Sequence, residues 1–481
     1  MNSAVSIIWF RQDLRLNHNP ALVAACKATH VLPIYILDDD TAGPHKMGSA
    51  SRWWLHHSLA ALNLSLDKAL NVYAGDAETI IADLCQRFSV ASVYWNRCYE
   101  PHHIAQSQRI KAQLCSQGVN ARSINGSLLN EPWSVLKKDG SPYKVFTPYH
   151  REASKIEQPI ALLPAPILPA PLIVDPQATH LEALSLLPET QWDAHFHELW
   201  TPGEAGAVAV LNNFLCDGIN DYKDGRDRPA LKAISRLSPH LHFGDIAPQQ
   251  IINTLLTIPD DQNSEHFKRE IRWREFSYYL LFHFPDLPEQ NLKPSFNNFP
   301  WENNPAWLKR WQQGLTGYPL VDAGMRELWQ TGYMHNRVRM VTASFLIKNL
   351  LVDWRLGASW FWDCLVDADL ASNSASWQWV AGCGTDASPY FRVFNPIIQG
   401  EKFDSQGEYT KRYLPELKDL PDKYLFKPWE APSEVLQKAN ITLGKDYPLP
   451  IVDVKESRIK ALSAYGITKN LNNDEFPDSS A

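Results

Sequence analysis

The feature that most constrains the fold of this chain is the alternation of short apolar segments with longer helix-like segments up to about residue 130. The apolar segments cover residues 6–10, 31–37, 72–74 and 90–95, and the helix-like segments cover residues 51–68, 77–88 and 104–117. This order is typical of parallel strands joined by helices in a doubly wound sheet. No Gly-x-Gly-x-x-Gly motif follows the first strand, so a dinucleotide fingerprint is not predicted.

From residue 202 onward, long helical patterns replace the strand pattern and predict an all-α half. They cover residues 204–217, 264–284, 305–313, 322–331, 337–350 and 359–365. The most apolar run, residues 159–174, contains five prolines and therefore cannot form a continuous membrane-spanning helix. We expect a Rossmann-like α/β domain, a proline-rich connector, a larger all-α domain and a polar tail, at residues 1–130, 131–201, 202–468 and 469–481.

Composition indicates an ordinary soluble protein of two or three domains, with 481 residues, 44% hydrophobic and 21% charged side chains. Seven cysteines without a Cys-x-x-Cys pair argue against a disulfide framework and against a structural zinc site. Reduced thiols and the absence of a basic leader at residues 1–6 predict a cytoplasmic protein. We expect no metal.

Charge gives a weaker indication of partners. The net charge of −7 argues against a protein coated with basic surface, but residues 222–236 hold five basic and two acidic side chains. Phosphate binding depends on the local field, so this segment fits a nucleic-acid contact. On charge alone it fits a solvated turn equally well.

Three segments place chemically useful side chains together. Glu270, Trp273 and Arg274 share a helical face by their spacing, which suits stacking and edge contacts to a base. By itself this pattern favours a partly buried indole beside a surface acid. Asn336, Arg339 and Met340 also fall on one helical face, although a routine helix start would look similar. A third segment, Ser235 to Pro239, predicts a phosphate-binding helix start or a simple N-cap by Ser238.

Aspartates, one asparagine and several indoles are dense between residues 353 and 379, among eighteen tryptophans in the chain. Indoles stack and can lose one electron, so this segment indicates a redox or stacking site rather than acid-base catalysis. Most of the other tryptophans are expected to pack in cores and interfaces.

The motifs at residues 8–16, 334–340, 353–379 and 384–392 closely resemble those of the photolyase/cryptochrome family, in the family's order. Within it they resemble class I-type cyclobutane pyrimidine dimer photolyases. The resemblance implies FAD, active as FADH⁻, which splits dimers in UV-damaged DNA by light-driven electron transfer. Asn336 and Met340 stand where enzymes for (6-4) photoproducts carry a histidine pair, and Asn373 is typical of photolyases.

The resemblance also implies a role for each matching residue. Those near FAD are Tyr222, Ser235, Arg236, Leu237, Ser238, Phe267, Arg274, Arg339, Asp367, Asp369 and Asn373. Those near DNA are Arg226, Glu270, Trp273, Asn336, Arg337 and Met340. Glu270 is the expected catalytic side chain, and Trp301, Trp354 and Trp377 match the electron-transfer chain. Ile234 replaces a frequent threonine, which removes one hydroxyl contact.

The second, light-harvesting pigment is where the sequence departs from the family pattern. Tyr99-Glu100 is followed by Pro101-His102-His103 instead of the Asn-Glu of the folate-binding branch. Methenyltetrahydrofolate, 8-hydroxy-deazaflavin, a flavin and an empty pocket all stay open. We expect a monomer acting on DNA. Alternatives to dimer repair are cryptochrome signalling, a DASH-type single-strand photolyase and, least favoured, a light-independent flavin oxidoreductase.

Overall fold

The computed structural model describes residues 5–156, 161–385 and 391–475, so Pro159 and residues 386–390 of the last motif lie outside the described part. The chain forms two compact units. Unit 1 comprises Met1–Tyr222, Ser235–Pro285 and Val366–Ala371, and unit 2 comprises Lys223–Ile234, Asp286–Leu365 and Ser372–Ala481.

Unit 1 contains a five-stranded parallel sheet with strand order β3-β2-β1-β4-β5. Its strands are β1 Val5–Phe10, β2 His30–Leu37, β3 Asn71–Ala74, β4 Val90–Asn96 and β5 Asn120–Ile124. The predicted doubly wound α/β fold is therefore confirmed, with one addition. Strand β5 was not predicted, because it is a half-exposed edge strand without an apolar run.

Helices cover the sheet and continue through the rest of unit 1. As far as His283 they are α1 Pro20–Ala25, α2 Asp39–Ala42, α3 Ser49–Ser65, α4 Ala77–Arg87, α5 Pro101–Ser116, α6 Phe146–Ile156, α7 Phe196–Leu199, α8 Glu204–Cys216, α9 Tyr222–Gly225, α10 Ser238–Phe243, α11 Pro248–Leu255 and α12 Gln262–His283. Ile81 and Leu84 of α4 and Ile110 of α5 pack on the sheet residues Ile7 and Trp95. Burial of this kind contributes about 1.5–3 kcal/mol for each large side chain, which fixes the sheet and its helices as one core.

Unit 2 is helical in its described part, as the sequence predicts. The remaining helices of the chain are α13 Pro305–Gln312, α14 Pro319–Thr331, α15 Asn336–Ser344, α16 Trp354–Cys364, α17 Leu370–Ala381, α18 Pro396–Phe403, α19 Glu408–Tyr413, α20 Asp422–Leu425, α21 Ser433–Lys438 and α22 Val454–Glu475. The helix predicted over residues 337–350 is divided, because a π-helical turn, Phe345–Asn349, follows α15.

Two further observations concern the whole described chain. Within residues 5–156, 161–385 and 391–475, no helix is both long enough and apolar enough to cross a membrane. Over the same ranges, no group of three or more His, Cys, Asp or Glu side chains is arranged to hold a metal ion.

Candidate functional site

Helix α12 brings the first predicted group together. Glu270, Trp273 and Arg274 are all partly buried along one face, as their spacing predicts. The ring of Trp273 stacks on Phe146 of α6, with centroids 3.7 Å apart and planes 8° from parallel. The stack therefore fixes the orientation of the indole plane, and the carboxylate of Glu270 lies one helical turn away. This arrangement suits a flat, hydrogen-bonding ligand.

The opposite face of α12 is anchored by a buried ion pair. Arg272 Nη1 donates to Glu275 Oε2 over 2.6 Å, and both side chains are almost inaccessible to water. The other carboxylate oxygen of Glu275 accepts the backbone N–H groups of Leu129 and, at 3.0 Å, Asn130. This network fixes the rotation of α12, and with it the direction of the site-bearing face.

A buried carboxylate, Asp369, lies at the centre of a second polar group in unit 1. Its Oδ2 accepts the hydroxyl of Tyr278 and lies 3.3 Å from Nδ1 of His242. Burial alone would raise the pKa of Asp369, but the hydrogen bond and charge of His242, the charge of Arg274 and the hydrogen bond from Tyr278 lower it further than burial raises it. The net pKa lies well below the usual range, so Asp369 is a buried anion at neutral pH.

The segment predicted to bind phosphate is held to another predicted aspartate. Ser238 Oγ donates to Asp367 Oδ2 over 2.6 Å. Leu237 occupies the N-cap position of α10 and Ser238 is its first residue, so the alternative of an N-cap by Ser238 is wrong. Arg236 has a left-handed backbone, with φ of 54°, and its guanidinium lies 5.4 Å above the ring of Trp200.

Three predicted cofactor residues have buried side chains. Tyr222, Leu237 and Phe267 belong to one hydrophobic cluster, in which Tyr222 and Phe267 have ring centroids 5.3 Å apart. Ser235 Oγ, by contrast, accepts the backbone N–H of Leu237 at 3.4 Å. Because Leu237 packs in this cluster, it fixes the backbone of the segment that carries Ser235 and Ser238.

In unit 2, helix α15 carries the other predicted DNA residues. Asn336, Arg337 and Met340 are not buried, and neither is Arg339 of the same helix, which was predicted to lie near FAD. His335 caps the helix, its Nδ1 accepting the backbone N–H of Arg337 at 3.2 Å. Arg337 also pairs with Asp227 at 2.7 Å, next to the partly buried Arg226. The structure therefore brings the basic segment around residue 226 to the first turn of α15.

The three predicted relay indoles have different surroundings in unit 2. Trp301 is partly exposed and contacts Phe299 at 4.3 Å between centroids. Trp354 is buried and its Nε1 donates to Asn291 over 2.9 Å. Trp377 is buried against Phe361 at 5.0 Å. Among the described residues, Trp301 and Trp377 make ring contacts with other aromatic side chains, and the three indoles make no ring contact with one another.

Two further predicted residues of unit 2 have identifiable partners. The amide nitrogen of Asn373 donates to the carbonyl of Ala358 over 3.2 Å, which fixes the orientation of the amide. Arg339 Nε donates to the carbonyl of Met334 over 2.6 Å, and its guanidinium lies 4.9 Å above the ring of Tyr333. Both side chains are therefore pre-oriented.

A separate group of polar side chains follows the carboxyl ends of β1 and β4, where the strand order of the unit 1 sheet reverses. Ligands of doubly wound sheets bind at this position. Gln12 Nε2 donates to Glu100 Oε1 over 2.6 Å, whereas Glu100 Oε2 and His103 Nδ1 are buried without a hydrogen-bond partner among the described residues. Buried polar atoms normally have partners, so these two fit a bound molecule with polar edges.

His102 and His103 are partly buried. Their rings are 4.2 Å apart. Burial, followed by the charges of Arg11 and His102, holds the pKa of His103 well below its usual value. His103 is therefore a neutral ring at physiological pH, which suits an uncharged hydrogen-bonding partner.

Family models match most of the chain. The family described as DNA photolyase matches residues 6–170, and the FAD binding domain of DNA photolyase matches residues 267–466. A deoxyribodipyrimidine photo-lyase of Agrobacterium fabrum is 49% identical over 98% of this chain and 99% of its own length. This chain belongs to the DNA photolyase family.

Other members of the photolyase family are also similar over nearly the whole chain. Deoxyribodipyrimidine photo-lyase of Escherichia coli is 37% identical over 95% of this chain and 98% of its own, and cryptochrome-2 of Arabidopsis thaliana is 37% identical over 94% and 77%. A solved bacterial class III photolyase from Agrobacterium tumefaciens has a TM-score of 0.94 at 48% identity, covering 98% of each chain. The predicted family and fold class are confirmed.

Membership of the photolyase family makes this protein a flavoenzyme of DNA repair, and its donor set fits FAD. Asp369 is an anionic acceptor for ring N–H groups, and Ser238 with Asp367 offers a hydroxyl and a carboxylate. An archaeal photolyase from Sulfolobus tokodaii, described with two FAD molecules that imply a novel light-harvesting cofactor, has a TM-score of 0.81 at 31% identity over 96% of this chain and 99% of its own. A second chromophore thus has a precedent in the family.

Sequence reasoning missed several residues that contact the predicted site residues. They are Phe146, which stacks on Trp273; His242 and Tyr278, which bond Asp369; and Asn291, which bonds Trp354. Each lies far along the chain from its partner. His242 alone had a local signal, because it follows the predicted phosphate segment closely.

Proposed function

We propose that this protein repairs cyclobutane pyrimidine dimers in UV-damaged DNA, using light and reduced FAD. The observation that carries the proposal is the face of α12, where Glu270 lies one helical turn from an indole fixed in plane by Phe146. A thymine dimer offers apolar faces for Trp273 and carbonyl and N–H edges for Glu270. Damage weakens stacking and pairing, so flipping the lesion out of the duplex costs less than flipping a normal base.

Reduced FAD supplies the light-driven electron that breaks the cyclobutane bonds. The residues of the chain bind and orient the reactants. Glu270 hydrogen-bonds the lesion and stabilises the negative charge that develops on it, as pre-organised groups do in other active sites. Arg226 and Arg337 contact phosphates, while Asn336 and Met340 contact the damaged DNA. Tyr222, Arg236 and Arg339 take part in holding FAD.

Asp369 and Asn373 are proposed to hold the flavin ring, and Trp301, Trp354 and Trp377 to carry electrons to it from the surface. The domain boundaries predicted from the sequence belong to the same proposal, with antenna binding at residues 1–130 and FAD binding at residues 202–468. We also take the protein to act as a cytoplasmic monomer without a metal.

The class within the photolyases is a separate part of the proposal. The sequence motifs predicted a class I-type enzyme, whereas the solved Agrobacterium relative is described as class III. We favour class III for this chain, because the two chains share 48% identity over 98% of each. The proposed reaction is the same for both classes.

The polar group around Glu100 and His103 is the proposed site of the second chromophore. Its two unpartnered polar atoms call for a ligand that offers both a donor and an acceptor. Methenyltetrahydrofolate, 8-hydroxy-deazaflavin and a flavin all have such edges. Release of the pigment from purified protein by denaturation, followed by its absorption spectrum, distinguishes the three.

The proposed repair is tested with photoreduced protein and UV-irradiated oligo(dT). Absorbance of the bases should recover under blue light and not in darkness. Glu270→Gln should bind FAD normally and repair with a several-fold lower quantum yield. Glu265→Gln is the matched control, because Glu265 is an exposed acid of the same helix that pairs with Lys268. An unchanged quantum yield in Glu270→Gln would remove the proposed role of that residue.

A cryptochrome photoreceptor is the second candidate, favoured by the 37% identity to cryptochrome-2 over 94% of this chain. A cryptochrome should bind flavin that is photoreduced normally, but it should not repair dimers in the light. Preference for single-stranded over duplex substrate would instead indicate a DASH-type enzyme. The same assay, run on both substrates, separates the three functions.

A further inference from the structure

A solvent-facing cleft in unit 2 is not used by the proposed repair site. It has a volume of about 430 Å³ and lies between helices α13, α14 and α16. The lining side chains that matter here are Lys309, Gln312, Arg326, Trp329, Gln330 and Trp360. Its volume falls within the range of about 300–1,000 Å³ that is common for small-molecule sites.

Two parallel indoles form one wall of this cleft. The rings of Trp329 and Trp360 have centroids 5.9 Å apart and planes only 3° from parallel. Trp329 is 49% exposed, which is unusual for a side chain of this size. A flat indole supported by a second parallel indole is a stacking platform for another flat ring.

The polar side chains of the cleft complement a purine nucleotide. Lys309 is exposed and makes no ion pair among the described residues, so its ammonium is available to a phosphate. Arg326 adds positive charge, although it pairs with Glu416 at 2.8 Å. The carboxamides of Gln312 and Gln330 each offer a donor and an acceptor, the combination that recognises the edge of adenine.

We propose that this cleft binds a free purine mononucleotide, with the base on Trp329 and the phosphate beside Lys309. Gln312 and Gln330 line the same cleft as Trp329, so a ring stacked on Trp329 lies in a cavity that also contains carboxamides. The cleft belongs to unit 2 alone, and its occupation does not depend on the repair activity.

The test is equilibrium binding of AMP to the FAD-loaded protein, measured by isothermal titration calorimetry. One AMP should bind, and Trp329→Ala should weaken it about tenfold, since stacking of one base contributes on that order. Trp133→Ala is the matched control, because Trp133 is 47% exposed and belongs to unit 1. It should bind AMP as the wild type does.

Lys309→Gln provides a second, independent test of the proposed phosphate contact. It should weaken AMP several-fold and leave adenosine, which lacks the phosphate, unchanged. Equal AMP affinity in Trp329→Ala, Trp133→Ala and the wild type would overturn the proposal. It would also be overturned if a short oligo(dA) bound through Trp329 while AMP did not, because the cleft would then hold a DNA strand. Thermal midpoints of the variants show that they are folded.

Discussion

Replacing Gly357 with alanine tests how closely Trp377 is packed. A Cβ atom at this position of α16 would lie 2.2 Å from Cη2 of Trp377 and 2.6 Å from Cδ2 of Leu346. Non-bonded carbon atoms are normally about 3.5–4.0 Å apart. The indole or the helix must therefore move by more than about 1 Å to accommodate one methyl group.

The expected change in stability follows from two opposing effects. Alanine is favoured over glycine in a helix interior by about 0.8–1.0 kcal/mol. Overpacking of a filled core costs about 1–3 kcal/mol. Gly466 of α22 is the matched control, because its Cβ would meet nothing within 4 Å and its φ is not positive. Gly466→Ala should gain the helical preference alone, so the two variants should differ by about 1–3 kcal/mol.

Urea midpoints of the two variants measure this difference, and flavin photoreduction under blue light measures its effect on Trp377. Gly357→Ala should unfold at lower urea than Gly466→Ala and photoreduce more slowly, because electron transfer depends steeply on ring position. If Gly357→Ala were as stable as Gly466→Ala and photoreduced at the wild-type rate, the close packing described for Trp377 would be incorrect.

Three further predictions concern single contacts. Tyr278→Phe removes a hydrogen bond to ionised Asp369 and should lower the free energy of unfolding by about 1.5–3 kcal/mol at pH 7. Folding lowers the pKa of Asp369, so the stability difference between Tyr278→Phe and the wild type should be present above the unfolded pKa of about 4 and shrink as the pH falls below it. Urea titrations of both proteins, above and below that pKa, measure the change. Trp301→Phe should block photoreduction of oxidised FAD but spare repair by enzyme that is already reduced; loss of both activities would contradict the relay. Phe146→Ala should weaken binding of dimer-containing DNA by releasing Trp273, and unchanged binding in a gel-shift assay would show that the stack has no part in recognition.

Local periodicity was sufficient to predict much of the fold and one face of each site helix. The spacing of Glu270, Trp273 and Arg274 predicted a shared face, and the structure leaves all three partly accessible on α12. Strand β5 was missed because an edge strand carries no apolar run. The π-helical turn after α15 was missed because its hydrogen bonds differ from those of an α-helix by only one residue in spacing, which periodicity over a short segment does not resolve.

The contacts that complete the site could not be predicted from spacing. Trp273 stacks on Phe146, 127 residues earlier, and Tyr278 bonds Asp369, 91 residues later. Such pairs form only when separate elements pack together, and a single sequence gives no distance between them. The family resemblance identified Asp369 as a site residue, but it did not identify Tyr278 and His242, whose hydrogen bonds keep Asp369 ionised.

Helix α12 connects the two halves of the proposed chemistry within unit 1. Its partly exposed face carries Glu270 and Trp273, and its C-terminal part carries Tyr278, which bonds Asp369. At 1.5 Å per residue, the eight positions from Glu270 to Tyr278 span about 12 Å along one rigid axis. The buried Arg272–Glu275 pair fixes the rotation of that axis. Any shift of α12 therefore moves the lesion contacts and the Asp369 donor together, so a variant that loosens this ion pair should alter lesion binding and flavin binding in parallel.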